Sequence, residues 1–143
     1  MMVKFEIPGE AVPKARPRVV NVHGFSRTYT PKRTTNFENL VKLMYTESYP
    51  DVVLSGPLAM EIRVFFQIPK SATKKNRTKW LTGRYPVTKR PDLDNLIKSI
   101  CDALNKVAYD DDSQVAEIHI TKEYGEIPKT MVTLKEIERV REE

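Results

Sequence analysis

Apolar residues along the chain switch between a period of two and a period near 3.6, and the switches mark out the elements. Val3, Phe5 and Ile7 alternate with polar neighbours and predict a short strand that Pro8-Gly9 ends. Pro13-Lys14-Ala15-Arg16-Pro17-Arg18 is too rich in proline for a helix. It leads into Val19-Val20, a turn at His23-Gly24 and a return through Ser26-Arg27-Thr28-Tyr29, which together predict a hairpin. Phe37, Leu40, Val41, Met44 and Tyr45 recur at helical spacing, with Thr30-Pro31 as N-cap and first helical position, or Thr34 or Thr35 as a later start. Tyr49-Pro50 closes that helix. Met60, Ile62, Val64, Phe66 and Ile68 alternate cleanly and predict a strand facing the core.

Residues 69–89 read as a basic connector with one brief helical turn at Thr78-Lys79-Trp80-Leu81, broken by Gly83. Trp80 is better suited to pinning this connector to the body than to stacking on a base. A second long helix starts near Asp92 or Asp94, with Leu93, Leu96, Ile97, Ile100, Leu104 and Val107 as its apolar stripe. Asp94, Lys98 and Asp102 fall on its polar side. Asp110-Asp111-Asp112 forms a turn, two strands over residues 114–122 and 130–135 complete the fold, and the tail from Glu136 is a short helix or frays. The expected class is α+β: residues 1–143 as one small domain, a mixed sheet packed against two main helices, with strand order open.

Composition narrows the function. Cys101 is the single cysteine and His23 and His119 the only histidines, which leaves no internal disulfide and little basis for a zinc cluster. No apolar run is long enough to span a membrane and the N-terminus carries no signal-like segment, so the expectation is a soluble, cytoplasmic protein. The net charge is +5, but it is divided: residues 1–90 hold 17 Lys/Arg against 6 Asp/Glu, and residues 91–143 hold 7 against 13. Between residues 70 and 90 stand Lys70, Lys74, Lys75, Arg77, Lys79, Arg84, Lys89 and Arg90, with no acid. A polyanion laid across the first part would meet carboxylates presented by the second.

Those carboxylates cluster in Arg90-Pro91-Asp92-Leu93-Asp94-Asn95-Leu96-Ile97-Lys98 and in Asp110-Asp111-Asp112. Asp92 and Asp94 stand at a helix N-terminus, where free N–H groups and the helix dipole favour negative side chains of the kind that bind a hard cation. Lys98 is one turn beyond Asp94, either in an ordinary i,i+4 pair or against a phosphate whose charge it offsets. The acidic turn lies at the far end of the same helix, roughly 20 Å away. The following strand running back, a loop folding over, or a partner chain would have to close that gap. The competing readings are a structural Ca²⁺ site, though no EF-hand pattern is present, or a solvated acidic turn. Among functions, the residues alone leave open a metal-dependent nuclease, a non-catalytic DNA- or RNA-binding protein with a structural cation, and an adaptor for an acidic partner.

The run Asp92-Leu93-Asp94-Asn95-Leu96-Ile97-Lys98, then Asp102-Ala103-Leu104, then Asp111-Asp112-Ser113-Gln114-Val115 resembles the RusA family of Holliday junction resolvases. Ile7-Pro8-Gly9 and the basic run from Lys14 to Arg18 extend the likeness over most of the chain. The resemblance implies a homodimeric crossover junction endodeoxyribonuclease acting in DNA recombination and repair, in a prophage or phage setting, on the nucleoid when bound. Its cofactor would be Mg²⁺, or Mn²⁺ in its place. It implies Asp92, Asp94 and Asp112 as metal ligands, Lys98 as the essential lysine, and Asp111 in support. It also implies a fold that gathers the aspartates in one pocket. Paired nicks in four-way junction DNA would follow, with Lys14, Arg16, Arg18, Arg27, Lys74, Lys75, Arg77, Lys89 and Arg90 holding the DNA backbone. Relatives often carry Gly after the long helix; here Asn105 is the residue able to take a left-handed helix end.

Overall fold

The computed structural model describes residues 1–82 and 85–138; Arg84, Gly83 and the last residues of the tail lie outside it. Six strands and three helices follow in the order β1 (Met2–Pro8), β2 (Arg18–Val22), β3 (Phe25–Tyr29), α1 (Lys32–Ser48), β4 (Leu58–Gln67), α2 (Lys74–Thr82), α3 (Leu93–Leu104), β5 (Val115–Gly125) and β6 (Lys129–Glu136). A 3-10 turn, Asp112–Gln114, leads into β5. Four strands form one mixed sheet in the order β1-β6-β4-β5, and β2 and β3 form a separate hairpin. The class is α+β.

The alternation read in the sequence sets the sheet's two faces. Val3, Phe5 and Ile7 of β1, Leu58, Met60, Ile62, Val64 and Phe66 of β4, and Val132 and Leu134 of β6 are all buried, on the side that α1 and α3 cover. α1 contributes Phe37, Val41 and Tyr45, and α3 contributes Leu96, Ile100 and Leu104. Each such side chain is worth about 1.5–3 kcal/mol when fully buried, which is what clamps α3 to the sheet. The opposite face carries Glu61, Arg63 and Glu123, the last two joined by paired hydrogen bonds of 2.9 and 3.0 Å. No helix among the described residues is long and apolar enough to cross a membrane.

β4 pairs with β5 in parallel and with β6 antiparallel. Parallel pairing requires a crossover, which residues 68–114 supply through α2 and α3. Strand order was beyond the reach of periodicity, because parallel and antiparallel neighbours present the same alternation.

Local differences from expectation have identifiable causes. Pro31 occupies the N-cap position rather than the first helical one, and α1 begins with Lys32; the Thr35 N–H bonds back to the Pro31 carbonyl at 3.2 Å. The brief turn expected near Trp80 is a nine-residue helix, α2. Its start is fixed by Thr73, whose hydroxyl accepts from the Asn76 N–H at 3.2 Å while its carbonyl accepts from Arg77 at 2.9 Å. Trp80 is an anchor, stacked on Tyr124 of β5 at 4.8 Å. α3 stops at Leu104, short of Val107. Asn105 is extended there, and the left-handed residue is Lys106 with φ 67°.

Candidate active site

α3 is the mount of the site. Its stripe of Leu96, Ile100 and Leu104 is fully buried, so the opposite side, carrying Asp94 and Lys98, must face solvent. Asp92 takes the N-cap position but makes no capping hydrogen bond with its side chain, and Asp94 lies in the first turn. Asp92, Asp94 and Lys98 are all exposed, and none has an ion-pair partner among the described residues.

The segment leading to this mouth is tied down from β5. The Lys122 ammonium donates to the Lys89 carbonyl at 2.7 Å and to the Pro91 carbonyl at 3.0 Å. The Val87 N–H bonds to the Lys122 carbonyl at 3.2 Å, so residues 87–91 lie along β5 before the helix begins. Sequence reasoning missed Lys122; it reads as an ordinary polar position in an alternating strand.

The acidic turn has its own order. Asp111 accepts from the Ser113 N–H and hydroxyl, and the Gln114 side chain in return accepts from the N–H groups of Asp110 and Asp111, each at 3.0 Å. This reciprocal cap commits Asp111 to shaping the turn. The Ser113 hydroxyl and N–H hold its carboxyl below the usual range. Gln114 also donates to the Leu54 and Gly56 carbonyls at 3.3 and 3.0 Å, docking the turn on the loop before β4. The neighbours of Asp111 are both exposed with side chains uncommitted among the described residues, Asp110 before it and, inside the 3-10 turn, Asp112. Its charge is felt at the later part of α3: burial pushes the Cys101 thiol up to about 11, with Asp112 and Asp102 adding to the rise.

Asp112 thus flanks the second half of α3, and Asp92 and Asp94 flank its start, with Lys98 between them along the helix. The twelve-residue helix is about 18 Å long. Among the described residues no three His, Cys, Asp or Glu side chains stand close enough to share an ion. A Mg²⁺ ion does not need three: it keeps several waters and binds through one or two carboxylates together with substrate phosphate. The hard oxygen donors of Asp92 and Asp94 fit that requirement, and the complete trio of aspartates is not assembled around one point within a single chain.

The expected DNA contacts fall into three groups. Arg18 and Arg27 stand on the hairpin and Arg16 just before it, all exposed. Lys74 and Lys75 are exposed on α2 and Arg77 half-buried, while Lys89 and Arg90 precede the acidic mouth. Lys14 differs from all of these. Its ammonium is 2.6 Å from Glu38 of α1 and 3.2 Å from Asp102 of α3, and its N–H donates to the Asn95 carbonyl at 2.9 Å. Burial works against its charge, but the hydrogen bonds to Glu38 and Asp102 prevail and its pKa is raised. The side chain is occupied as a strut between the two helices, and Asp102 has its explanation in the same contact.

A cleft of about 310 Å³ opens beside the mouth, lined by Glu10, Pro13, Arg33, Lys89, Arg90 and Pro91 among others. Arg33 was not singled out from the sequence. Its only signal was its place in a stretch without acids, from residue 11 to residue 37. Three cations therefore border the approach to Asp92.

The chain is 34% identical to the uncharacterized protein YqaN of Bacillus subtilis (strain 168), over 94% of its own length and 96% of the relative's. It is 26% identical to the crossover junction endodeoxyribonuclease rusA of Lactococcus phage r1t, over 96% and 100% of the two chains. The family model for endodeoxyribonuclease RusA matches residues 8–135, which takes in every residue of the acidic mouth, the turn and the hairpin: the chain belongs to the RusA endodeoxyribonuclease family.

Proposed function

We propose that this protein is a Mg²⁺-dependent, structure-selective endodeoxyribonuclease that resolves four-way DNA junctions by paired nicks, working as a homodimer on cytoplasmic DNA during recombination and repair. The observation that carries the reading is the position of Asp92, Asp94 and Lys98 on the solvent side of a helix whose other side is fully buried, beside a cleft bordered by Arg33, Lys89 and Arg90. A phosphodiester drawn to those cations lies against the acidic mouth.

Asp92 and Asp94 would hold the ion, with Asp112, on the turn that Asp111 fixes, joining as a further ligand only where the second subunit or bound DNA brings turn and mouth together. Mn²⁺ suits the same oxygens. When bound, the cation offsets charge on the scissile phosphate and favours hydrolysis at neutral pH. Lys98, one turn beyond Asp94, places its ammonium against the phosphate oxygens as negative charge builds up in the transition state. Arg16, Arg18, Arg27, Lys74, Lys75, Arg77, Lys89 and Arg90 hold the sugar-phosphate backbone, which sets position rather than base preference. Lys14 acts one step back by tying the hairpin's root to α1 and α3. Two symmetric subunits are the simplest means of placing two cuts across a nearly symmetric junction.

The test is cleavage of a mobile four-way junction by the purified protein, with Mg²⁺ or with EDTA, beside Asp94→Asn. Paired nicks that need Mg²⁺, vanish in Asp94→Asn and spare linear duplex are the expected result. Equal cutting of linear duplex would make it a general nuclease, and tight junction binding with no cleavage would make it an architectural protein.

A further inference from the structure

The β2–β3 hairpin stands apart from the core: every residue of both strands is exposed. Its register pairs Arg18 with Tyr29, Val20 with Arg27 and Val22 with Phe25. Directly paired residues share a face, and alternate positions along a strand return to it. One face of the ribbon therefore gathers Arg18, Val20, Val22, Phe25, Arg27 and Tyr29. The other shows Val19, Asn21, Ser26 and Thr28, with the Ser26 hydroxyl donating to the Asn21 side chain at 3.1 Å. The two-residue turn is rigid in kind, with φ 50° at His23 and 79° at Gly24, the left-handed pair that matches strand twist. It puts Phe25 at the tip, with 74% of its surface in water.

Large aromatic exposure at the tip of a free hairpin has no role in packing the core, because nothing among the described residues covers it. Charge says what does. From residue 11 to residue 37 the chain holds Lys14, Arg16, Arg18, Arg27, Lys32 and Arg33 and no acid. A second copy of the same face would meet it with like charge, whereas a polyanion complements it. Phosphates account for the arginines and leave Phe25 and Tyr29 unused. Ring faces need bases, and bases in a continuous duplex are covered by their neighbours above and below. A branch point uncovers them. Resting on the reading of this protein as a junction endonuclease, we propose that the hairpin is a base-stacking arm: Phe25 and Tyr29 stack on bases exposed at the centre of a branched DNA, while Arg18 and Arg27 on the same face hold the flanking phosphates.

The root of the arm is placed for this. The Lys14 N–H is bonded to the Asn95 carbonyl at 2.9 Å, in the first turn of α3 and next to Asp94. An arm seated at the branch point would set which phosphates reach the acidic mouth.

The experiment uses the full-length protein in EDTA, a four-way junction carrying 2-aminopurine beside the branch point, and a linear duplex of matched sequence. Wild-type protein should change the 2-aminopurine fluorescence on binding. Phe25→Ser should abolish that change, with junction affinity falling about tenfold and duplex affinity staying within about twofold, as loss of one stacking platform implies. Phe25→Trp should restore both. Because Phe25 is outside the core, Phe25→Ser should show the wild-type melting curve, which separates stacking from folding. The proposal is overturned if Phe25→Ser retains the fluorescence change and the junction preference, or loses junction and duplex binding equally. It is also overturned if the variant converts a dimer to monomers in sedimentation, which would make the arm a subunit contact. If wild-type protein binds neither DNA, the endonuclease reading itself fails, a result distinct from any defect confined to the variant.

Discussion

α3 and the β2–β3 hairpin both bear residues assigned to DNA chemistry, yet they are built on opposite principles. α3 buries Leu96, Ser99, Ile100, Cys101, Ala103 and Leu104, while the hairpin buries nothing. The helix is bolted to the sheet, which is what the proposed binding of a small cation with strict geometry would require of its carboxylates. The hairpin presents rings and guanidinium groups to a long, deformable polymer, for which reach matters more than fixity. Position is bought with core area in one region and with turn geometry in the other.

The contrast is broken most sharply by truncation. Leu96→Ala should cost about 2–5 kcal/mol of stability, and Val20→Ala less than about 0.5, as urea unfolding followed by circular dichroism will show. Equal losses would mean the hairpin is packed in solution. Alkaline pH separates the regions next. The Cys101 thiol, on the buried side of α3, titrates near 11 instead of its ordinary 9.0 because burial holds its proton. Unfolding releases that proton, so the thiol's own contribution to stability should fall as pH rises from about 9 and be lost beyond about 11, by on the order of 2 kcal/mol, while Tyr109, also raised by burial, continues the decline at higher pH. Cys101→Ala should flatten this segment of the curve.

Lys14 joins the two regions, and its removal sharpens the comparison. Lys14→Met leaves Glu38 and Asp102 facing each other without a cation at side-chain exposures of 15% and 32%. The expected loss is about 1–2 kcal/mol, partly recovered in Lys14→Met/Asp102→Asn, because an unpaired half-buried charge costs more than an absent one. A surface lysine used only for DNA would show no stability change. The smallest effect belongs to Arg27→Ser, which should lower the steepness of log affinity against log salt by about one unit and leave the unfolding midpoint in place.

How much of this was legible beforehand follows the same division. The strands around Phe5, Val64 and Val132 and the helices around Val41 and Ile100 were readable because burial on one face imposes a period. The hairpin was readable from His23-Gly24, since a two-residue turn demands left-handed backbone. The acidic run was recognisable as a pattern, Asp92 to Lys98 and Asp111 to Val115. What stayed hidden was what only the third dimension brings together. Lys14 looked like one more member of a basic run, and nothing local distinguishes a lysine that meets Glu38 and Asp102 from one that meets water. α2 was underread because its nine residues bury nothing and leave no periodic trace. Asp111 and Asp112 are chemically identical in sequence; only the reciprocal bonds of Gln114 assign one to the turn.

The order of the sheet has a consequence for how the molecule comes into being. β6 is made after the other described strands, yet it lies between β1 and β4 and pairs with both, Met2 opposite Lys135 and Ile62 opposite Val132. While the chain is leaving the ribosome, β1 and β4 have no strand to join them, and the sheet that supports α3 is divided. The acidic mouth therefore gains its rigid backing only when residues 129–136 emerge. A nascent chain that stops before β6 carries all the side chains proposed for catalysis and no platform to aim them.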